Sequence, residues 1–121
     1  MKAPLREIGR ENCHPQDTIE DGMRGLTYDY CFSGKRVGPV GQIELHVTSV
    51  LTDWAGNIYT RKCRYLGHKE RWRDCIRSHI IKHLTDLYVG PMLVSAMMGN
   101  FEVDDKKYKD WNSYHGQDSK E

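Results

Sequence analysis

QIELHVTSVL, residues 42 to 51, puts Ile43, Leu45 and Val47 on one side and Glu44, His46 and Thr48 on the other. A period of two belongs to an extended chain, so this stretch is a strand with one face turned to a core. It runs into Asp53-Trp54-Ala55-Gly56-Asn57, where Gly56 and Asn57 both tolerate positive φ, and an extended pattern resumes from Ile58 to Leu66. The two runs read as a β-hairpin. In the returning strand Tyr59, Arg61, Cys63 and Tyr65 share one face, and Ile58, Thr60, Lys62, Arg64 and Leu66 the other. Neither face is purely apolar, so its exposed side is expected to be basic.

Outward from the hairpin, LTYDYCF (residues 26 to 32) alternates Leu26, Tyr28, Tyr30 and Phe32 against Thr27, Asp29 and Cys31, which predicts a preceding strand. The intervening SGKRVGPVG, residues 33 to 41, holds three glycines and a proline and reads as a loop. On the other side Gly67 ends the strand. From Lys69 the apolar residues Trp72, Ile76, Ile80, Leu84, Leu87 and Tyr88 recur every three or four positions, the mark of a helix running to about Val89. Gly90 and Pro91 are stop signals. MLVSAMM, residues 92 to 98, suits a short helix, and its Met-rich side serves either to complete the core or as a partner or homodimer surface. Asp17 to Met23 suggests one or two further helical turns.

The fold class is therefore α+β: a three-stranded antiparallel sheet packed against one long helix, plus a short C-terminal helical segment. Ile43, Leu45, Val47, Trp72, Ile76, Ile80 and Leu84 are its expected core. The 121 residues suffice for one domain, assigned to residues 17–103. A flexible N-terminal arm (1–16) and a disordered polar tail (104–121) flank it, since both ends offer little apolar surface to offset ordering entropy. No apolar run approaches the roughly 18 to 20 residues of a membrane span. MKAPLREIGRENCHPQD lacks an apolar stretch like that of a secretory leader. The expectation is a cytoplasmic or otherwise intracellular protein with no membrane association, whose four cysteines are free thiols.

Charge is the most pointed functional signal. Arg61, Lys62, Arg64, Lys69, Arg71, Arg73, Arg77 and Lys82 are eight cations in a short stretch, offset only by Glu70 and Asp74. The local +6 contrasts with +1 for the whole chain and favours a polyanion or an acidic protein face. On the helix Lys69, Arg73 and Arg77 form a stripe beside the apolar one. Arg61, Lys62, Arg64, Lys69, Arg71, Arg73 and Arg77 are accordingly the expected phosphate contacts, with Tyr59, Tyr65 and His68 interleaved as candidate base-stacking groups.

Cys75, His79 and His83 fall at i, i+4 and i+8 of the helix, with Cys63 and His68 upstream. An i,i+4 pair can share one zinc ion, but the outer two are ~12 Å apart along the axis. The expectation is no metal and no cofactor, with Cys75 buried and the histidines partly exposed. No nucleophile with an adjacent base, spaced carboxylate pair, phosphate-binding glycine loop or HExxH is present, and Glu44, His46 and Asp53 read as solvent-facing, so no enzyme activity is expected.

The layout from about residue 15 to 88, with Gly38-Pro39 ahead of a strand and Gly67-His68-Lys69 ahead of a basic helix, resembles the double-stranded RNA-binding domain. That resemblance implies recognition of duplex RNA. It differs where that family packs its last helix with small residues, since Trp72, Ile76 and Ile80 stand here, and Lys69-Glu70 replaces a lysine pair. A generic three-strand-plus-helix DNA-binding module fits the same elements. The functional expectation is a non-catalytic nucleic-acid-binding protein, for DNA or double-stranded RNA. The alternative is a small regulatory or inhibitor protein that binds an acidic face of another protein.

Overall fold

A computed structural model describes residues 3–14, 25–38, 40–87 and 89–109. The helical turns expected at Asp17 to Met23, together with Pro39 and Tyr88, lie outside the described residues. The strands are β1 (Arg6–Asn12), β2 (Thr27–Arg36), β3 (Gln42–Thr52) and β4 (Ile58–His68). A 3₁₀ turn, Lys69–Arg71, leads into α1 (Trp72–Asp86), followed by α2 (Pro91–Met98) and a second 3₁₀ turn, Asp105–Lys107. The sheet order is β1-β4-β3-β2, with each neighbouring pair antiparallel.

The α+β class stands, but among the described residues the sheet has four strands rather than three. The fourth is β1, formed from residues that the sequence places in the N-terminal arm. It pairs along β4 with Arg10 opposite Cys63 and Asn12 opposite Arg61, interrupted by a bulge between Glu7 and Gly9. Gly67 does not end β4. It lies within the strand because Leu5 crosses over it: a Cβ there would sit 2.9 Å from the Leu5 Cα. Gly67→Ala is therefore expected to cost about 1–3 kcal/mol through backbone displacement. Chemical denaturation checks this, and an unchanged midpoint would mean that Leu5 stands off from the strand.

β2 runs on to Arg36, so the loop is shorter than residues 33 to 41, and Val37 N–H donates to Gln42 O to close the turn. The β3–β4 loop is organised by Asp53, whose carboxylate accepts from the Ala55 and Asn57 backbone N–H groups, Asn57 Nδ2 and Tyr59 OH. Desolvation pushes that carboxyl up, but the bonds outweigh it and hold it below the usual range.

The helix α1 packs on the sheet face that carries Leu45, Val47, Leu51, Tyr59, Cys63 and Tyr65, contributing Cys75, Ile76, Ile80 and Leu84. Leu45, Val47, Ile76, Ile80 and Leu84 are buried as expected, while Ile43 and Trp72 are partly buried at the margin. Gly90 and Pro91 begin α2 rather than merely ending α1: Gly90 is its N-cap, Pro91 its first residue, and Val94 N–H donates to Gly90 O. Asp104 to Lys109, read from sequence as part of a disordered tail, dock on β2. Lys109 N–H donates to Phe32 O, Tyr108 bridges Phe32 in parallel, and Lys107 pairs with Asp29. No described helix is long and apolar enough to cross a membrane.

Candidate nucleic-acid interface

The fold disperses the seven expected phosphate contacts. Alternation along β4 turns Arg61 inward and Lys62 and Arg64 outward. Arg61 is 2% exposed, with its guanidinium 3.0 Å from Asp86 and 3.5 Å from Glu7. That burial removes it from any surface that could touch a phosphate, which corrects the expectation from sequence. Lys62 and Arg64 lie on the sheet face away from α1, Arg64 3.4 Å from Glu44. Arg71 pairs with Asp74 at 3.1 Å.

Arg73 and Arg77 hold the segment that follows α2. Arg73 donates to Val103 O and Asp105 and stacks over the Trp72 ring, and Arg77 donates to Met98 O and Phe101 O. Their charges fasten residues 98–105 across the helix, although Arg73 and its partner Asp105 stay exposed. Lys69 remains exposed at the entrance to α1. Tyr59 and Tyr65 are core residues rather than surface stacking groups.

What converges instead is a groove of about 530 Å³ between the distal end of the β2–β3 hairpin and the start of α1. Phe32, Ile43, Leu45, Trp72 and Tyr108 give it apolar and aromatic walls. The Phe32 ring stands 5.2 Å from Trp72 and 5.6 Å from Tyr108, centroid to centroid. Lys35, Arg36 and Lys69 border the same groove and are exposed, Lys35 standing opposite Glu44 in the strand pairing, and the one acidic lining residue among those described, Asp105, is paired with Arg73. Sequence reasoning missed Lys35 and Arg36 because GKRVGPVG carries turn residues. The alternation of LTYDYCF stops at Phe32, since Gly34 and Arg36 follow at the apolar positions, so no local signal extends the strand.

The histidines are also placed differently from expectation. His79 and His83 are in the core, joined by Ser49: its Oγ lies 3.0 Å from His79 Nε2 and 2.6 Å from His83 Nδ1. Tyr65 OH lies 2.8 Å from His79 Nδ1. All three contacts are satisfied with both rings neutral when Tyr65 donates to His79, His79 to Ser49 and Ser49 to His83. Burial first, and the nearby Arg61 charge second, depress the imidazoles to about 3 for His79 and about 4 for His83. Burial pushes the Cys75 thiol up to about 12, so it is no nucleophile at neutral pH. Among the described residues no cluster of three or more His, Cys, Asp or Glu could hold a metal ion. His46 and Asp53, expected to face solvent, are buried.

No family model, curated protein or solved structure matches this chain. The functional assignment therefore rests on the geometry of the groove and on the chemistry its lining offers. Aromatic surface beside exposed cations suits a ligand that joins a planar apolar part to an anion. A nucleotide has that combination.

Proposed function

We propose that the protein is a non-catalytic nucleic-acid-binding domain that takes a single-stranded stretch of DNA or RNA in this groove. The observation that carries the reading is the aromatic set Phe32, Trp72 and Tyr108 bordered by the exposed Arg36 and Lys69. An unpaired base can lie on the half-exposed Tyr108 ring while the flanking phosphates meet the cations. The sealing of Ser49, His79 and His83 in the core supports a non-catalytic role, because no substrate reaches the hydroxyl.

Fluorescence anisotropy with a labelled oligothymidylate tests the proposal. Arg36→Gln with Lys69→Gln is expected to weaken binding and flatten the log–log salt slope by up to roughly 1.4, at ~0.7 per single-strand phosphate. Tyr108→Ala should cost about tenfold or more in affinity, in line with the ~1–3 kcal/mol of one base stack. If the wild-type protein shows no salt-sensitive binding to any DNA or RNA at about 50 mM salt, the reading fails. The same cations would then be assigned to an acidic face of a protein partner, the regulatory role.

A further inference from the structure

The two edges of the sheet differ. At the β2 edge, Tyr108 and Lys109 dock on Phe32, whereas among the described residues nothing pairs with the outer edge of β1. That edge reads Arg6-Glu7-Ile8-Gly9-Arg10-Glu11, and all four charged residues are exposed. Turned end for end and laid against itself, this sequence matches opposite charges: Arg6 meets Glu11 and Glu7 meets Arg10.

We propose that β1 is a homodimer seam, pairing antiparallel with β1 of a second copy about a two-fold axis between Ile8 and Gly9. The bulge is what makes the match work on both faces. Glu7 and Arg10 are three residues apart and in an unbroken strand would point to opposite sides. Here the extra residue places Glu7 opposite Tyr65 and Arg10 opposite Cys63, both on the α1 side, and their side chains come within 3.9 Å. Arg6 and Glu11, opposite Leu66 and Lys62, share the other face. A two-fold axis normal to the sheet keeps like faces together, so each side of the seam carries two cross-strand pairs of opposite charge. The occupied β2 edge stops further growth, giving a closed dimer with a continuous eight-stranded sheet rather than a fibre. The two grooves then lie at its opposite ends.

Sedimentation equilibrium on the full chain tests the seam. Since a seam of two short strands is small, loadings should extend to about 200 µM. The expected result is a dimer of the 14.1 kDa chain that weakens with added salt. Arg6→Glu or Glu11→Arg alone should raise the dissociation constant about tenfold or more by setting like charges opposite one another. The Arg6→Glu/Glu11→Arg double variant should return to near the wild-type value. Circular dichroism verifies folding. Alternation from Cys13, whose N–H points to Thr60 O, turns the Arg10 amide outward, so its hydrogen exchange should slow as concentration rises. A monomer at every loading, or a dimer indifferent to both single reversals, would overturn the proposal.

Discussion

Lowering the pH from 7 to 4 is expected to remove on the order of 5 kcal/mol of folding stability, through His79 and His83. In the folded chain the imidazoles titrate near 3 and 4, whereas in the unfolded chain they titrate near 6.5. Below pH 6.5 the unfolded state therefore binds more protons, so stability falls as pH drops through the interval from 6.5 toward 4 and is insensitive to these two groups above about 7. Asp29 and Asp53 act elsewhere on the scale. The Lys107 hydrogen bond, and for Asp53 the loop's hydrogen bonds against desolvation, depress their carboxyls, so their contributions are lost as pH falls through the ordinary carboxylate range toward the lower folded values. Urea denaturation between pH 7 and 4.5 isolates the histidine effect. His83→Gln should flatten the profile while lowering stability at pH 7. A flat wild-type profile over that interval would show that the rings are hydrated.

The second large effect concerns Arg61. Removing a partner from a buried ion pair leaves a charge without compensation, which typically costs ~3–5 kcal/mol. Glu7 and Asp86 are partly exposed, 32% and 45% at the side chain, so screening places the Glu7→Gln/Asp86→Asn double variant near the lower bound, about 3 kcal/mol. Arg61→Met should cost less, because the two carboxylates can rehydrate whereas the stranded guanidinium cannot. Denaturant midpoints compare the variants. A larger loss for Arg61→Met than for the double carboxylate variant would place the cation in water.

The hairpin was legible because β3 has one core-facing side and its side chains alternate accordingly. The helix was legible because a period of 3.6 persists from Trp72 to Leu87. β1 was not, since an edge strand bearing Arg6, Glu7, Arg10 and Glu11 has no apolar period, and its bulge breaks the alternation of faces. Gly67 looked like a stop signal because the crossing of Leu5 is a tertiary fact. The alternation of β4 did set Arg61 beside Tyr59, Cys63 and Tyr65, the face that becomes buried. Its counter-ions come from β1 and the end of α1, too far away in sequence to be read locally. Arg73 and Arg77 are a similar case: both sit on the stripe that periodicity predicts, but they bind the carbonyls of Met98, Phe101 and Val103, too far away in sequence to be read locally.

The role of the groove can be read directly by ultraviolet cross-linking of the intact protein to a short oligothymidylate, followed by mass spectrometric mapping of the modified peptide. The predicted result is a cross-link at Tyr108 or Trp72 that disappears when unlabelled oligonucleotide competes or when salt is raised. A cross-link confined to the Lys62 and Arg64 face of the sheet, or none above that of an acidic control protein, would contradict the assignment.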